Sequence, residues 1–178
     1  MQQGEPKPLV GIFWMLVTGL CFVAVTALVK YMGPRVPPAE AAFLRYFLGL
    51  GFLIPMLPAV RDAHLTPRQW KLFTLRGVFH SGGVILWFYA MTRIPIAEVT
   101  AMNYLAPVYV SIGAALFLGE KLALRRIAAI VVALIGTAVI LRPGVRVVEP
   151  GHVAMLFCAV TFAGSYLLAK IMADEAKP

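Results

Sequence analysis

The chain has 178 residues, of which 61% are hydrophobic and 13% charged, and its mean hydropathy is +0.84. This composition excludes an ordinary cytosolic enzyme, a disordered chain, a disulfide-rich secreted scaffold and a nucleic-acid-binding module. The net charge of +8 comes from Lys and Arg residues that stand between apolar runs, where such residues set membrane topology. The sequence therefore predicts an integral membrane protein, in which Cys21 and Cys158 serve as small hydrophobic residues.

Six stretches without Asp, Glu, Lys or Arg follow one another at residues 8–29, 46–60, 77–92, 99–119, 127–141 and 150–169. A helix needs roughly 17 to 25 predominantly apolar residues to cross a bilayer. The shorter stretches reach this length when flanking side chains such as Arg45 and Arg76 extend toward the interface. The sequence therefore predicts an all-α integral membrane protein with six transmembrane helices.

The cations between these stretches indicate how the chain is oriented, because an excess of Lys and Arg marks the cytoplasmic side. With the N-terminus in the cytoplasm, nine cations fall on that side and five on the other. We therefore expect both termini to be cytoplasmic. The cytoplasmic group comprises Lys7, Arg61, Arg68, Lys71, Lys121, Arg125, Arg126, Lys170 and Lys177, and the opposite group Lys30, Arg35, Arg93, Arg142 and Arg146.

The first and last apolar stretches resemble each other. Residues 11–32 align on residues 151–172 with seven identities, which include Phe22 with Phe162 and Lys30 with Lys170. Equivalent points of the two copies are five predicted helices apart, and this odd number makes the second copy enter the membrane from the opposite side. Such inverted repeats are typical of secondary transporters, whose substrate site lies near the bilayer midplane between the repeats.

Residues 93–143 resemble the end of an EamA repeat in the drug/metabolite transporter superfamily. The matching features are the motif at 97–101, Pro107 in mid-helix, the Leu-Gly-Glu-Lys turn at 118–121, a bend at Gly136, and the segment 42–46 in the second helix. The resemblance implies an EamA-like inverted-repeat fold. Residues 9–143 then form a first repeat of five helices, and residues 150–172 form the first helix of an incomplete second repeat. Because members of the superfamily usually have ten helices, the fold is expected to be truncated.

The resemblance implies a permease of the bacterial cytoplasmic (inner) membrane that moves a small metabolite by alternating access. Related proteins are associated with riboflavin or S-adenosylmethionine uptake, others with amino-acid or drug export, and the sequence leaves these substrates open. The alternative is a non-transporting remnant or an assembly subunit, completed by a homodimer or by a partner that supplies the missing helices. The expected partners are thus a small molecule and the lipid bilayer, without nucleic acid.

Enzymatic activity is not expected. The sequence contains no phosphate-binding loop, no His-Glu-x-x-His motif and no cluster of metal-ligand spacing. His80 and Ser81 are neighbours in the chain, but adjacent helical residues point about 100° apart and cannot act as a base and nucleophile. We therefore predict no catalytic residue, no cofactor and no metal ion.

Candidate substrate-binding residues lie on three of the predicted helices. Arg45 would point inward to an anion or carbonyl, or extend to the interface, because a cation facing lipid is costly. His80 and Trp87 share a helix face with Arg76. In one interpretation, His80 forms hydrogen bonds in a polar cavity and Trp87 stacks on the ligand. In the other, His80 forms a hydrogen bond to a neighbouring helix.

The fourth predicted helix carries Asn103, Pro107 and Ser111 on one face, with Tyr104 beside it. Pro107 has no N–H to donate to the Asn103 carbonyl, so a kink is expected to leave a polar backbone group available to a ligand. Asn103, Tyr104 and Ser111 are therefore predicted to bind substrate.

Three further charged positions are predicted to have structural roles. Glu98 either caps the N-terminus of the fourth helix or pairs with a cation. Glu120 would be held among the cations of the Gly-Glu-Lys turn, and Lys30 and Lys170 are expected to act as interfacial anchors.

Overall fold

A computed structural model describes residues 8–51, 53–56, 66–120, 122–141 and 147–175, and within these ranges the chain contains helices and no β-strand. The α-helices are α1 (Pro8–Met32), α2 (Pro38–Gly51), α3 (Pro67–Met91), α4 (Ile96–Asn103), α5 (Leu105–Phe117), α6 (Leu124–Leu141) and α7 (Pro150–Glu175). Tyr104 alone separates α4 from α5, so these two helices form one segment. The predicted all-helical chain with six helical segments is confirmed for the described residues.

In the part of the chain that the structure describes, three segments are long and apolar enough to cross a membrane, namely Leu9–Met32, Ile96–Phe117 and Pro150–Ala173. The helix α2 has 14 residues, which at 1.5 Å per residue corresponds to roughly 21 Å. Residues 57–60 of the second predicted stretch lie outside the described residues. So do six of the cations used for the predicted orientation, namely Lys7, Arg61, Lys121, Arg142, Arg146 and Lys177.

Local sequence signals explain where α3 begins and where α5 ends. The Thr66 hydroxyl accepts a hydrogen bond from the Gln69 N–H, and the Gln69 side chain accepts one from the Thr66 N–H, which is a capping box. Pro67 occupies the first helical turn, where its missing N–H costs nothing. Gly119 adopts a φ of +68° directly after α5, a conformation that favours glycine and turns the chain toward α6.

The core lies where α3 packs against α7. A Cβ atom at Gly83 would lie 2.8 Å from the Phe162 ring, and one at Gly151 would lie 2.8 Å from the Ile94 side chain. Glycine at these two positions thus lets the helices approach closely. The Cys158 thiol adds a hydrogen bond to the Gly83 carbonyl at 3.2 Å.

Contacts at the helix ends show the direction in which each helix runs. The end of α1 meets the end of α3, because the Lys30 ammonium donates to the carbonyls of Met91 at 3.0 Å and Ile94 at 3.1 Å. The start of α4 meets the start of α7 through Glu98 and His152. The helices α1 and α3 are therefore parallel, and the α4–α5 segment is parallel to α7. The start of α7 also meets the end of α3, so the two pairs are antiparallel to each other.

The far end of α7 is tied to the turn between α5 and α6. Lys170 donates a hydrogen bond to the Glu120 carboxylate, and the Arg126 guanidinium lies 3.3 Å from the other carboxylate oxygen. The hydrogen bond from Lys170 is the largest cause that lowers the pKa of Glu120, and Arg126 lowers it further. Glu120 therefore remains ionised at neutral pH and joins three elements of the fold.

Candidate functional site

A small polar cavity lies among α1, α2, α3, α4 and α7. Its volume is about 100 Å³. Four of the six predicted substrate-binding residues line this cavity, although they are spread over residues 45–103 of the sequence. The lining comprises Arg45, His80, Trp87 and Asn103 together with Phe22, Val84, Phe162 and Tyr166.

Two polar atoms in the lining have no hydrogen-bond partner among the described residues. They are Oδ1 of Asn103 and Nδ1 of His80, and both are buried. Buried polar atoms in proteins are almost always hydrogen-bonded, because leaving one unpaired costs about 1 to 3 kcal/mol. Two unpaired atoms at one cavity indicate a place for a polar ligand or for water.

Arg45 brings a positive charge to the cavity. Its guanidinium carbon lies 5.8 Å from the centre of the neighbouring Tyr46 ring, and no carboxylate pairs with it among the described residues. Arg45 shares the lining with His80. The described lining contains no Asp or Glu to balance the charge of Arg45.

Aromatic rings make up much of the cavity lining. The Phe22 ring of α1 stacks on Trp87 of α3, with centroids 5.2 Å apart and planes at 23°. The Phe162 ring lies 5.3 Å from His80 and stacks on Tyr166 at 6.3 Å. Rings from three helices therefore contribute to the cavity.

A second cavity of about 210 Å³ adjoins the first and shares Phe22, Arg45 and Trp87 with it. It also includes Thr18, Cys21 and Val25 of α1. Binding sites for drug-sized molecules have volumes of roughly 300 Å³ or more. The two volumes together are close to that size.

Both phenylalanines of the cavity were not predicted from the sequence, and neither were Val84 and Tyr166. A signal was nevertheless present, since Phe22 and Phe162 occupy equivalent positions of the internal repeat. In the structure each of them packs against a residue of α3 that was predicted to bind substrate, Phe22 against Trp87 and Phe162 against His80. The two repeat copies thus contribute the same residue to the cavity lining.

The structure does not bring Tyr104 and Ser111 to this cavity. Tyr104 is 70% exposed and lines an apolar groove between α4 and α6 with Thr100, Gly136 and Thr137. The Ser111 hydroxyl donates a hydrogen bond to the Pro107 carbonyl at 2.9 Å. The helix break expected near Pro107 is present, because α4 ends at Asn103 and α5 begins at Leu105.

Glu98 pairs with an imidazole from another helix. Its carboxylate lies 2.8 Å from Nε2 of His152, and the two side chains are 13% and 5% exposed. Nδ1 of His152 accepts the Glu149 N–H at 3.0 Å, so Nε2 carries the hydrogen and donates it to Glu98. The sequence analysis allowed for a cationic partner of Glu98 but did not identify His152.

The geometry describes a helical membrane protein with an internal, positively charged and aromatic cavity. Among the described residues no group of three His, Cys, Asp or Glu side chains could hold a metal ion. The cavity has hydrogen-bonding atoms and aromatic side chains, and among the described residues it has no nucleophile paired with a base. Such a site offers hydrogen-bonding atoms and aromatic contacts to a small molecule.

Comparison with known proteins agrees with this class. The model of the EamA-like transporter family matches residues 9–142. The chain therefore belongs to the EamA-like transporter family of the drug/metabolite transporter superfamily, and is a membrane protein of a non-enzymatic family. No solved structure matches it.

Its curated relatives transport different molecules. The chain is 29% identical over 155 residues to an S-adenosylmethionine uptake transporter of Rickettsia conorii, covering 87% of this chain and 53% of the relative. It is 28% identical over 178 residues to a riboflavin transporter of Rhizobium johnstonii, and the match covers 98% of this chain and 59% of that relative. A pseudopaline exporter of Pseudomonas aeruginosa is 28% identical over 133 residues, and the match covers 75% of this chain and 46% of that relative. The chain thus spans about half the length of these relatives.

Proposed function

We propose that this chain forms part or all of a secondary transporter that carries a small metabolite across the bacterial cytoplasmic membrane by alternating access. The cavity lined by Arg45, His80, Trp87 and Asn103 is the proposed substrate site. The observation that carries the proposal is that two side chains lining one cavity, Asn103 and His80, each hold a buried polar atom without a hydrogen-bond partner among the described residues. Family membership supports the transport of a small molecule in general.

The directions of the helices support six membrane crossings. A chain that passes through the membrane twice in the same direction, as α1 and α3 do, must cross back between them, and α2 lies between them in the sequence. The same reasoning applies to α6, between the parallel α5 and α7. The proposed topology therefore has six spans with both termini in the cytoplasm, and residues 150–172 begin the second, inverted repeat.

Cysteine labelling tests whether the cavity is an aqueous site. In a chain carrying Cys21→Ala and Cys158→Ser, we expect Asn103→Cys to react with a small membrane-impermeant thiol reagent from one face of the membrane. The neighbouring Tyr104→Cys is the matched control, because Tyr104 lies in the apolar groove between α4 and α6. In the proposed topology this groove faces lipid. Tyr104→Cys should remain unreactive from both faces.

Two further positions report the orientation. Arg68→Cys should react only from the cytoplasmic face, and Arg35→Cys only from the opposite face. Reaction of both positions from the same face would contradict the six-span topology. Reaction at position 104 but not at 103 would contradict the assignment of the cavity as the substrate site.

A further inference from the structure

The charge of the cavity restricts which small molecules it can hold. Arg45 brings a full positive charge to the lining. Among the described residues the lining holds no carboxylate, and Arg45 has no ion-pair partner. Like charges a few ångströms apart repel each other, and they do so more strongly away from bulk water. The cavity should therefore reject a ligand that carries a net positive charge.

The hydrogen-bonding atoms restrict the ligand further. The free Asn103 Oδ1 can only accept, so the ligand must offer an N–H or O–H donor. The guanidinium of Arg45 can only donate, so the ligand must also offer an acceptor such as a carbonyl or an anionic oxygen. His80 Nδ1 can take either role according to its tautomer.

Aromatic side chains restrict the shape of the bound group. The lining contains Phe22, Trp87, Phe162 and Tyr166 together with the His80 imidazole. Aromatic side chains prefer offset stacking or edge contacts with other rings. A planar heterocycle can make such contacts, and its edge can carry both the donor and the acceptor.

We infer that the substrate is a planar heteroaromatic molecule of zero or negative net charge, with a hydrogen-bond donor and acceptor on its edge. This inference rests on the proposed function and specifies the ligand class of the same cavity. The inference distinguishes between two substrates of the relatives. S-adenosylmethionine has a net positive charge because of its sulfonium group, whereas riboflavin is neutral. Arg45 is the residue that produces the discrimination.

A matched pair of ligands tests the inference. S-adenosylhomocysteine and S-adenosylmethionine share the adenine ring and the amino-acid group, and differ by one methyl group and one positive charge. With the purified full chain in lipid nanodiscs, we expect calorimetry to show binding of S-adenosylhomocysteine about tenfold tighter or more. Riboflavin, measured by its fluorescence, should also bind as a neutral planar probe.

Substitutions then assign the preference to Arg45. Arg45→Gln should reduce the preference between the two ligands at least about fivefold, whereas Arg45→Lys should keep most of it because the charge remains. Arg125→Gln on the exposed start of α6 is the matched control and should leave the ratio unchanged. A ratio that remains the same in Arg45→Gln would overturn the role of this residue.

Other outcomes decide between the inference and the proposed function. If S-adenosylmethionine binds as tightly as S-adenosylhomocysteine, which has zero net charge, the inference is overturned. The assignment of the cavity as a substrate site is then unaffected. Absence of binding by all three ligands, in a chain whose uptake of another compound depends on Asn103, also overturns it. Absence of both binding and Asn103-dependent uptake overturns the inference together with the proposed function.

Discussion

Replacing Arg45 with alanine is expected to lower substrate transport about tenfold or more while leaving the protein folded. The guanidinium lines both adjoining cavities, so a substrate in either one meets it. A hydrogen bond to a charged group contributes about 1.5 to 3 kcal/mol, which corresponds to roughly a tenfold to hundredfold change in affinity. Initial rates of uptake into proteoliposomes at substrate concentrations below KM measure this loss.

The stability of the same variant should not change. Arg45 has no ion-pair partner among the described residues, so its removal breaks no ion pair. We expect the thermal midpoint of Arg45→Ala in detergent to equal that of the unchanged chain. Arg125→Ala is the control for uptake and should retain it. A lower midpoint for Arg45→Ala, in proportion to the lost uptake, would mean that Arg45 is structural.

Replacing His152 with alanine is expected to lower the free energy of unfolding by about 3 kcal/mol. The His152 side chain is 5% exposed and donates a hydrogen bond to the Glu98 carboxylate, whose side chain is 13% exposed. Without the imidazole, this largely buried charge loses a hydrogen bond. The pair joins the starts of α4 and α7, two helices that also carry cavity residues. Thermal unfolding of the variant in detergent, monitored by helical circular dichroism, measures the cost.

A double-mutant cycle separates the pair from its surroundings. The coupling between Glu98→Gln and His152→Ala should be at least about 1 kcal/mol, because the two side chains are in direct contact. Glu149→Gln is the matched control, since only the backbone N–H of Glu149 contacts His152. It should leave the midpoint within the range of ordinary surface substitutions, about 0.5 kcal/mol. Additive effects of Glu98→Gln and His152→Ala would show that the contact contributes nothing.

Apolar stretches in the sequence predicted the number of helical segments because each long helix in a bilayer must satisfy its backbone internally. They predicted the bounds less well. The second stretch was placed at 46–60, whereas α2 runs from Pro38 to Gly51 and includes Glu40 and Arg45. Counting charge-free residues cannot detect a helix whose first turns are polar, although Pro38 at the start is a common helix-opening residue.

The cavity could be predicted in part. Helical spacing correctly placed His80 and Trp87 together, and the cost of a cation in lipid pointed to Arg45. The same spacing grouped Ser111 with Asn103, but the chain breaks at Tyr104 and the Ser111 hydroxyl bonds to the Pro107 carbonyl of its own helix. A straight-helix pattern cannot be extended across such a break.

Contacts between distant segments were outside the reach of sequence patterns. Glu98 and His152 are 54 residues apart, and neither belongs to a motif that names the other. Lys30 was expected to anchor α1 at the interface, yet it donates to two carbonyls beyond the last turn of α3. The packing of the helices determines the partners of Glu98 and Lys30, because a charged group removed from water must be paired with a hydrogen-bonding group that the fold brings beside it.

The central claim is that the cavity between α1, α2, α3, α4 and α7 carries the transported molecule. The most direct test compares Asn103→Ala with Ser111→Ala in proteoliposome uptake of tritiated riboflavin. The two residues lie on consecutive helices, but only Asn103 presents an unpartnered atom to the cavity. We expect Asn103→Ala to lose about tenfold of the uptake and Ser111→Ala to retain it. Equal uptake by both variants and the unchanged chain would contradict the claim.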